Sequence, residues 1–246
     1  MPYPDNPKRR TPVAVLLRAS MLVAAPFAVA ACSSTMQSSD KPMLAAAAAP
    51  DPAYVSMYGA INDNGTIIPA VDVSKIDKRN LRQVVDYETD EPVGTVVVDP
   101  HARFLYLVME NGKALRYGVG VAKTGLEFEG EADISRKASW PGWTPTQNMI
   151  KREPERYGPL AGGMEGGLKN PLGARALYLY QNGEDTLYRI HGTTEPWSIG
   201  KSVSSGSIRL FNQDIVDLHS RVPKGSRMVV LNAEQSGKGE INNEPS

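Results

Sequence analysis

The residues of this chain able to do chemistry concentrate in HGTTEPWSIGKSVSSGSIRLFN, residues 191–212. His191 is followed by Gly192 and stands sixteen positions (207 − 191) before Ser207, which lies between Gly206 and Ile208. A histidine can serve as general base and a serine as nucleophile, and a glycine beside the serine lets a substrate carbonyl approach the backbone. An alcohol ionises far above neutral pH, so Ser207 must lose its proton during attack and depends on a well-oriented imidazole. Glu195, Asp185 and Asp214 are the carboxylates near enough in order to be considered as orienters of that imidazole. Arg209 can brace the loop through backbone carbonyls or clamp a substrate carboxylate. Trp197 either flanks the site or is buried in its loop, and Ser205 and Gly206 shape the turn that carries Ser207. His101 and His219 stand outside this constellation. With one cysteine and three histidines, none of them paired, no metal-ligand spacing and no phosphate loop is present, and no cofactor is expected.

The elements that must position these residues read as mostly β. GTVVVDP has the β-branched run of a buried strand over residues 95–98. Two pairs of strand-like runs turn at Asn111-Gly112 and Asn182-Gly183, dipeptides that tolerate positive φ and suit tight hairpins. The second pair ends on His191, and MVVLN closes the sheet over residues 228–232. One helix follows Ser207: Asn212 is placed to cap it, Ile215, Leu218 and Val222 share a face, and Pro223 with Gly225 ends it. A nucleophile near such a helix start gains from its dipole and its free N–H groups. Residues 119–172, rich in Gly, Pro and Trp and poor in periodicity, read as long loops over one end of the sheet.

Of the 246 residues, 41% are hydrophobic and 22% charged, and Lys+Arg equal Asp+Glu at 27 each, which gives no electrostatic reason for a nucleic-acid partner. Positive charge gathers at Lys8, Arg9, Arg10 and Arg18, ahead of a short apolar run interrupted by Pro26. That pattern reads as a secretory signal peptide over residues 1–31, and Val29-Ala30-Ala31-Cys32 resembles the bacterial lipobox. Cys32, the sole cysteine, is then the lipidation site, which implies an exported chain anchored to the bacterial envelope on the periplasmic side. Ser33 directly after it points to the outer membrane by the enterobacterial rule. Residues 32–54 form a flexible tether of Ser, Ala and Pro, and residues 55–92 an N-terminal extension packed on the domain at 93–232. Residues 233–246 read as a disordered polar tail. The oligomeric state stays open.

HGTTEPWSIGKSVSSGSIRLFNQD resembles the signature of the bacterial L,D-transpeptidases: a His-Gly, a spacer, then Ser or Thr, a variable residue, Gly, Cys, an apolar residue and Arg. Those places here hold His191-Gly192, then Ser204, Ser205, Gly206, Ser207, Ile208 and Arg209. WTPT (143–146) and GGLKNPLGARALYLY (166–180) are similar to the family as well. The resemblance implies a mainly β, β-sandwich-like catalytic domain with a few short helices. It also implies an acyl transfer on peptidoglycan stem peptides, either cross-linking or lipoprotein attachment. In the family a cysteine attacks the bond between the third and fourth residues of a stem tetrapeptide; the terminal D-alanine leaves, and an amine takes the acyl group. His191 matches the base, Ser207 matches the nucleophile by position, and Gly192, Ser205, Gly206 and Arg209 match substrate- or oxyanion-binding positions. The departure falls on the reacting atom, because a thiol near a histidine ionises at neutral pH and an alcohol does not. Two readings therefore stand: an enzyme with a serine at the nucleophile position, or a catalytically inactive homologue that binds peptidoglycan or regulates active relatives.

Overall fold

The structure, a computed structural model, describes residues 49–241 apart from 125, 127 and 238. The expected signal peptide, the expected lipidation site Cys32 and most of the expected tether lie outside the described residues. A short helix α1 (Pro52–Met57) leads into a hairpin of β1 (Ile61–Asp63) and β2 (Thr66–Ile68). There follow β3 (Gln83–Tyr87), β4 (Val96–Asp99), β5 (Phe104–Val108), β6 (Lys113–Gly118), β7 (Val121–Ala122) and β8 (Gly130–Ser139). Two short helices, α2 (Gln147–Arg152) and α3 (Pro154–Tyr157), precede β9 (Arg175–Gln181) and β10 (Glu184–His191). The chain ends with β11 (Ser202–Ser204), β12 (Ile208–Arg209), α4 (Asn212–Arg221), β13 (Ser226–Val230) and β14 (Glu240–Ile241).

Ten strands form one mixed sheet in the order β12-β10-β9-β8-β13-β4-β5-β6-β3-β14. Neighbours are antiparallel except β12 with β10 and β13 with β4. The two expected hairpins turn where their Asn-Gly pairs adopt positive φ, at 60° and 63° for Asn111-Gly112 and at 53° and 83° for Asn182-Gly183. Beyond β6 the chain crosses to the opposite edge of the sheet, where Gly120 and Arg209 exchange backbone hydrogen bonds of 2.9 and 2.8 Å. The sheet thus curls over itself. Its interior is filled from both halves by Val96, Leu105, Tyr117, Ile134, Leu177, Ile190 and Ile208, with Ile215 and Leu218 of α4 and Val222 just after it packed in. The expected mainly β domain with few short helices is what the chain adopts.

Three segments differ from the sequence expectations. Residues 119–172 are not only loops, for they hold β7, the ten-residue β8 and helices α2 and α3. Strand β8 (GEADISRKAS) buries only Ala132 and Ile134, so almost no apolar alternation marks it. The tail expected to be disordered from residue 233 is built into the domain through Ile241. Ser236 Oγ donates to Asp99, Tyr106 donates to Glu240 at 2.8 Å, Arg116 pairs with Glu240, and β14 adds an edge strand to β3. The expected tether is already helical from Pro52, with Asp51 accepting from the Ala53 N–H at 2.8 Å.

The N-terminal segment docks against the elements that carry the site. Tyr58, Val73 and Leu81 bury together with Ile199 and Phe211. The Tyr58 hydroxyl donates to Asp214 Oδ2 at 3.0 Å, and Gln213 Nε2 donates to the carbonyls of Gly59 and Pro69 at 3.2 and 2.8 Å. Helix α4 is therefore held on one side by the curled sheet and on the other by residues 54–82.

Candidate functional site

His191 is the last residue of β10, and Ser207 directly precedes β12. These are adjacent parallel strands in which Ile190 faces Ile208 and His191 faces Arg209. Side chains alternate along a strand and neighbours in register point the same way, so His191 shares a face with Arg209, and Ser207 enters β12 two residues before Arg209. Gly206 lies on the reverse, interior face, where an added Cβ would sit 3.2 Å from the Tyr188 ring. From strand spacing and rise, the His191 and Ser207 Cα atoms are roughly 8 Å apart on the diagonal, a span an imidazole and a hydroxyl can close. The register thus sets the ends of β10 and β12 side by side; among the described residues His191, which is buried, and Ser207 make no hydrogen bond to each other.

The imidazole is fixed by the main chain. His191 Nδ1 lies 2.5 Å from the carbonyl oxygen of Gly192, which can only accept, so Nδ1 carries the proton and Nε2 the lone pair. Burial pulls its pKa down to about 4; the Arg209 and Arg189 charges add to that fall, and the Gly192 carbonyl opposes it. The ring is neutral at pH 7. Among the described residues no carboxylate orients it: Glu195 pairs with Arg209 at 2.6 Å, Asp185 with Arg189 at 2.7 Å, and Asp214 with Tyr58.

Gly192 is required by packing. A Cβ there would fall 2.2 Å from Asn212 Oδ1 and 3.2 Å from the Ala174 nitrogen. The same Asn212 ties the strand ends together, accepting from the Ala174 N–H at 2.9 Å and donating to the Thr193 carbonyl at 3.0 Å. Sequence reasoning gave Asn212 a capping role; its side chain makes no cap, Phe211 holds that position, and Asn212 braces the backbone on either side of His191-Gly192 instead. Strand β12 with Leu210 and Phe211 separates Ser207 from α4, so the serine does not sit at the start of that helix.

The turn carrying the serine is held by its neighbours. The buried Ser204 donates through Oγ to the Ser207 carbonyl at 2.5 Å and accepts from the Gly206 N–H at 3.3 Å. Gly206 has φ +141°, a conformation that L side chains rarely adopt. The Ser205 hydroxyl lies 3.2 Å from that of Tyr157 in α3, so the segment between β8 and β9 reaches this turn; Tyr157 in turn meets Trp143 edge to face. No signal in the sequence singled out Tyr157 or Tyr188. Trp197 is exposed, with the Lys201 ammonium 5.4 Å from its ring, which removes the expectation of a buried aromatic. His101 is exposed, and His219 lies at the end of α4 near Lys137, Arg175 and Asp63. Among the described residues no cluster of His, Cys, Asp and Glu is able to hold a metal ion. No helix among them is long and apolar enough to cross a membrane.

Residues 94–230 match the L,D-transpeptidase catalytic domain family, YkuD. The probable L,D-transpeptidase ErfK/SrfK of Escherichia coli is 33% identical over 140 residues, 56% of this chain and 44% of that protein. The putative L,D-transpeptidase YqjB of Bacillus subtilis is 32% identical over 143 residues, 57% of this chain and 73% of that protein. A solved structure described as a probable carnitine operon oxidoreductase from Brucella melitensis is 50% identical, covering 65% of this chain and 99% of that one with a TM-score of 0.44. The chain spans less than half the length of its Escherichia coli relatives, 43% of one and 44% of another.

Proposed function

This chain belongs to the L,D-transpeptidase catalytic-domain family, and on that premise we propose that it performs acyl transfer on peptidoglycan stem peptides in the bacterial envelope. In this reading His191 is the base and Ser207 the nucleophile. What supports it is the pairing of the end of β10, which carries His191, with β12, which Ser207 directly precedes, and the commitment of Nδ1 to the Gly192 carbonyl, which leaves Nε2 its lone pair. Ser207 Oγ attacks the carbonyl carbon between the third and fourth stem residues while Nε2 takes its proton. The C–N bond then breaks, Nε2 returns the proton to the departing D-alanine amine, and an ester on Ser207 remains. An acceptor amine, its proton taken by Nε2, attacks that ester; the ester C–O bond breaks and Nε2 returns the proton to Ser207 Oγ. Cross-linking and lipoprotein attachment differ only in the acceptor. The basic, apolar and Cys32-terminated leader supports export and a lipid anchor on the periplasmic side, with the outer membrane as its site of retention.

One observation favours the second reading, a non-catalytic homologue that binds or regulates. The imidazole is oriented by a carbonyl and not by a carboxylate. A serine dyad without that negative charge forgoes stabilisation of the imidazolium that forms during attack, and loss of the orienting carboxylate costs about ten-thousand-fold in serine proteases. Incubating wild type, Ser207→Ala and Ser207→Cys with disaccharide-tetrapeptide and looking for 3→3 dimers by mass spectrometry separates the two. Product from wild type but not from Ser207→Ala establishes the serine as nucleophile. Product from Ser207→Cys alone makes the natural protein a binder.

A further inference from the structure

We infer that Arg209 is the recognition point for the terminal carboxylate of a one-residue leaving group, and that Glu195 holds its place when no ligand is bound. This rests on the reading of the site as one for stem peptides. Arg209, in β12 beside His191, follows Ser207 by two residues, a separation of roughly 6.6 Å for extended chain. A carbonyl under attack stands about 3 Å from the hydroxyl. The carboxylate of the next and last residue lies about 3.5 Å further on, within the sweep of an arginine side chain anchored at that spacing. One more residue would put an uncharged amide where the carboxylate belongs, so the pair measures the length of the leaving group.

Glu195 Oε2 sits 2.6 Å from Arg209 Nη1. The Arg209 side chain is 14% exposed and that of Glu195 35%, so the guanidinium is the enclosed partner and the carboxylate is free to swing into water. A ligand carboxylate replaces it one for one, and the enclosed cation is never left unpaired, which would be costly. The loop does not need this side chain to keep its shape. The Glu195 N–H donates to Thr193 Oγ1 at 3.0 Å, and the Glu195 carbonyl accepts from Ser198 N and Ser198 Oγ at 2.9 and 2.6 Å. Glu195 thus acts through Arg209 as a positioning residue.

The test is calorimetric titration of the purified protein with a stem tetrapeptide as free acid and as C-terminal amide, for wild type, Glu195→Gln and Glu195→Asp, with melting temperatures recorded. Wild type is expected to bind the acid on the order of ten-fold or more tighter than the amide, as suits a charged hydrogen-bonded pair. Glu195→Gln, freed of a competing pair that is partly screened, should bind the acid up to about five-fold tighter and the amide unchanged. Glu195→Asp keeps the charge and should stay within about two-fold of wild type for both peptides. Equal gains for acid and amide, or weaker acid binding with a fall in melting temperature, would make Glu195 a brace and overturn the inference. Equal binding of acid and amide by wild type removes the inference and leaves the stem-peptide reading intact. Failure of every form to bind either peptide removes both.

Discussion

Asn212 offers the sharpest check on how the strand ends around His191 are held. Truncation in Asn212→Ala strands the Ala174 N–H and the Thr193 carbonyl, groups of residues that are 0% and 5% exposed. A buried polar group left without a partner costs about 1–3 kcal/mol, so the two together cost about 2–6 kcal/mol. For a domain of this size each kcal/mol lowers Tm by about 2–4 °C, which puts the expected fall at about 4 °C or more by scanning calorimetry. The functional consequence should exceed the thermal one, because the Gly192-Thr193 backbone that Asn212 braces is the same backbone that fixes the His191 tautomer. Gln213→Ala is the control: it removes hydrogen bonds to Gly59 and Pro69, away from His191, and should lower Tm while sparing acyl transfer or ligand binding. A Tm shift under about 1 °C for Asn212→Ala would refute the stability argument. A functional loss no greater than that of Gln213→Ala at matched stability would refute the link to His191.

Two further predictions concern pH. Because burial depresses the His191 pKa to about 4, the unfolded chain binds a proton below about 6.5 that the folded chain refuses, so this group erodes stability as pH falls from 6.5 towards 4. The same shift keeps the imidazole neutral, so with His191 as base the acid limb of the rate profile should lie well below the ordinary histidine range; a limb near pH 6.5 would contradict it. Asp214 works in the opposite sense, since burial raises its carboxyl to about 7 against a smaller pull from Arg82. The folded chain holds that proton after the unfolded chain has released it, which costs stability as pH rises from 4 to 7. Asp214→Asn should therefore make stability climb more steeply over that window in chemical denaturation at fixed temperature, and an unchanged slope would show that the carboxyl is ionised when folded.

Legibility varied with how local each cause was. Asn111-Gly112 and Asn182-Gly183 announced their hairpins because the turn is decided by backbone sterics at two residues, and Asn64-Gly65 carries the same signal between β1 and β2. The His191 to Arg209 motif was visible because its members lie on two short stretches of chain. Strand β8 was hidden, since its pairing with β9 and β13 and not its own pattern makes it a strand. The brace at Asn212, the contact of Tyr157 with Ser205 and the partner of Arg209 join residues distant in order, and no spacing rule reaches them. The tail from residue 233 looked too polar to fold because Ser236 and Glu240 find their partners on β4, β5 and β6.

On the reading of Ser207 as nucleophile, the backbone exchange between Gly120 and Arg209 limits how its hydroxyl can meet the imidazole. Strand β12 is two residues long, yet it is gripped along both sides, by β10 and by Gly120. So short a rung cannot slide to bring the hydroxyl closer. Any adjustment must come from the imidazole or from the incoming peptide, and Gly192, whose carbonyl anchors the imidazole, and Asn212, which braces the backbone beside it, are where such adaptation would be written.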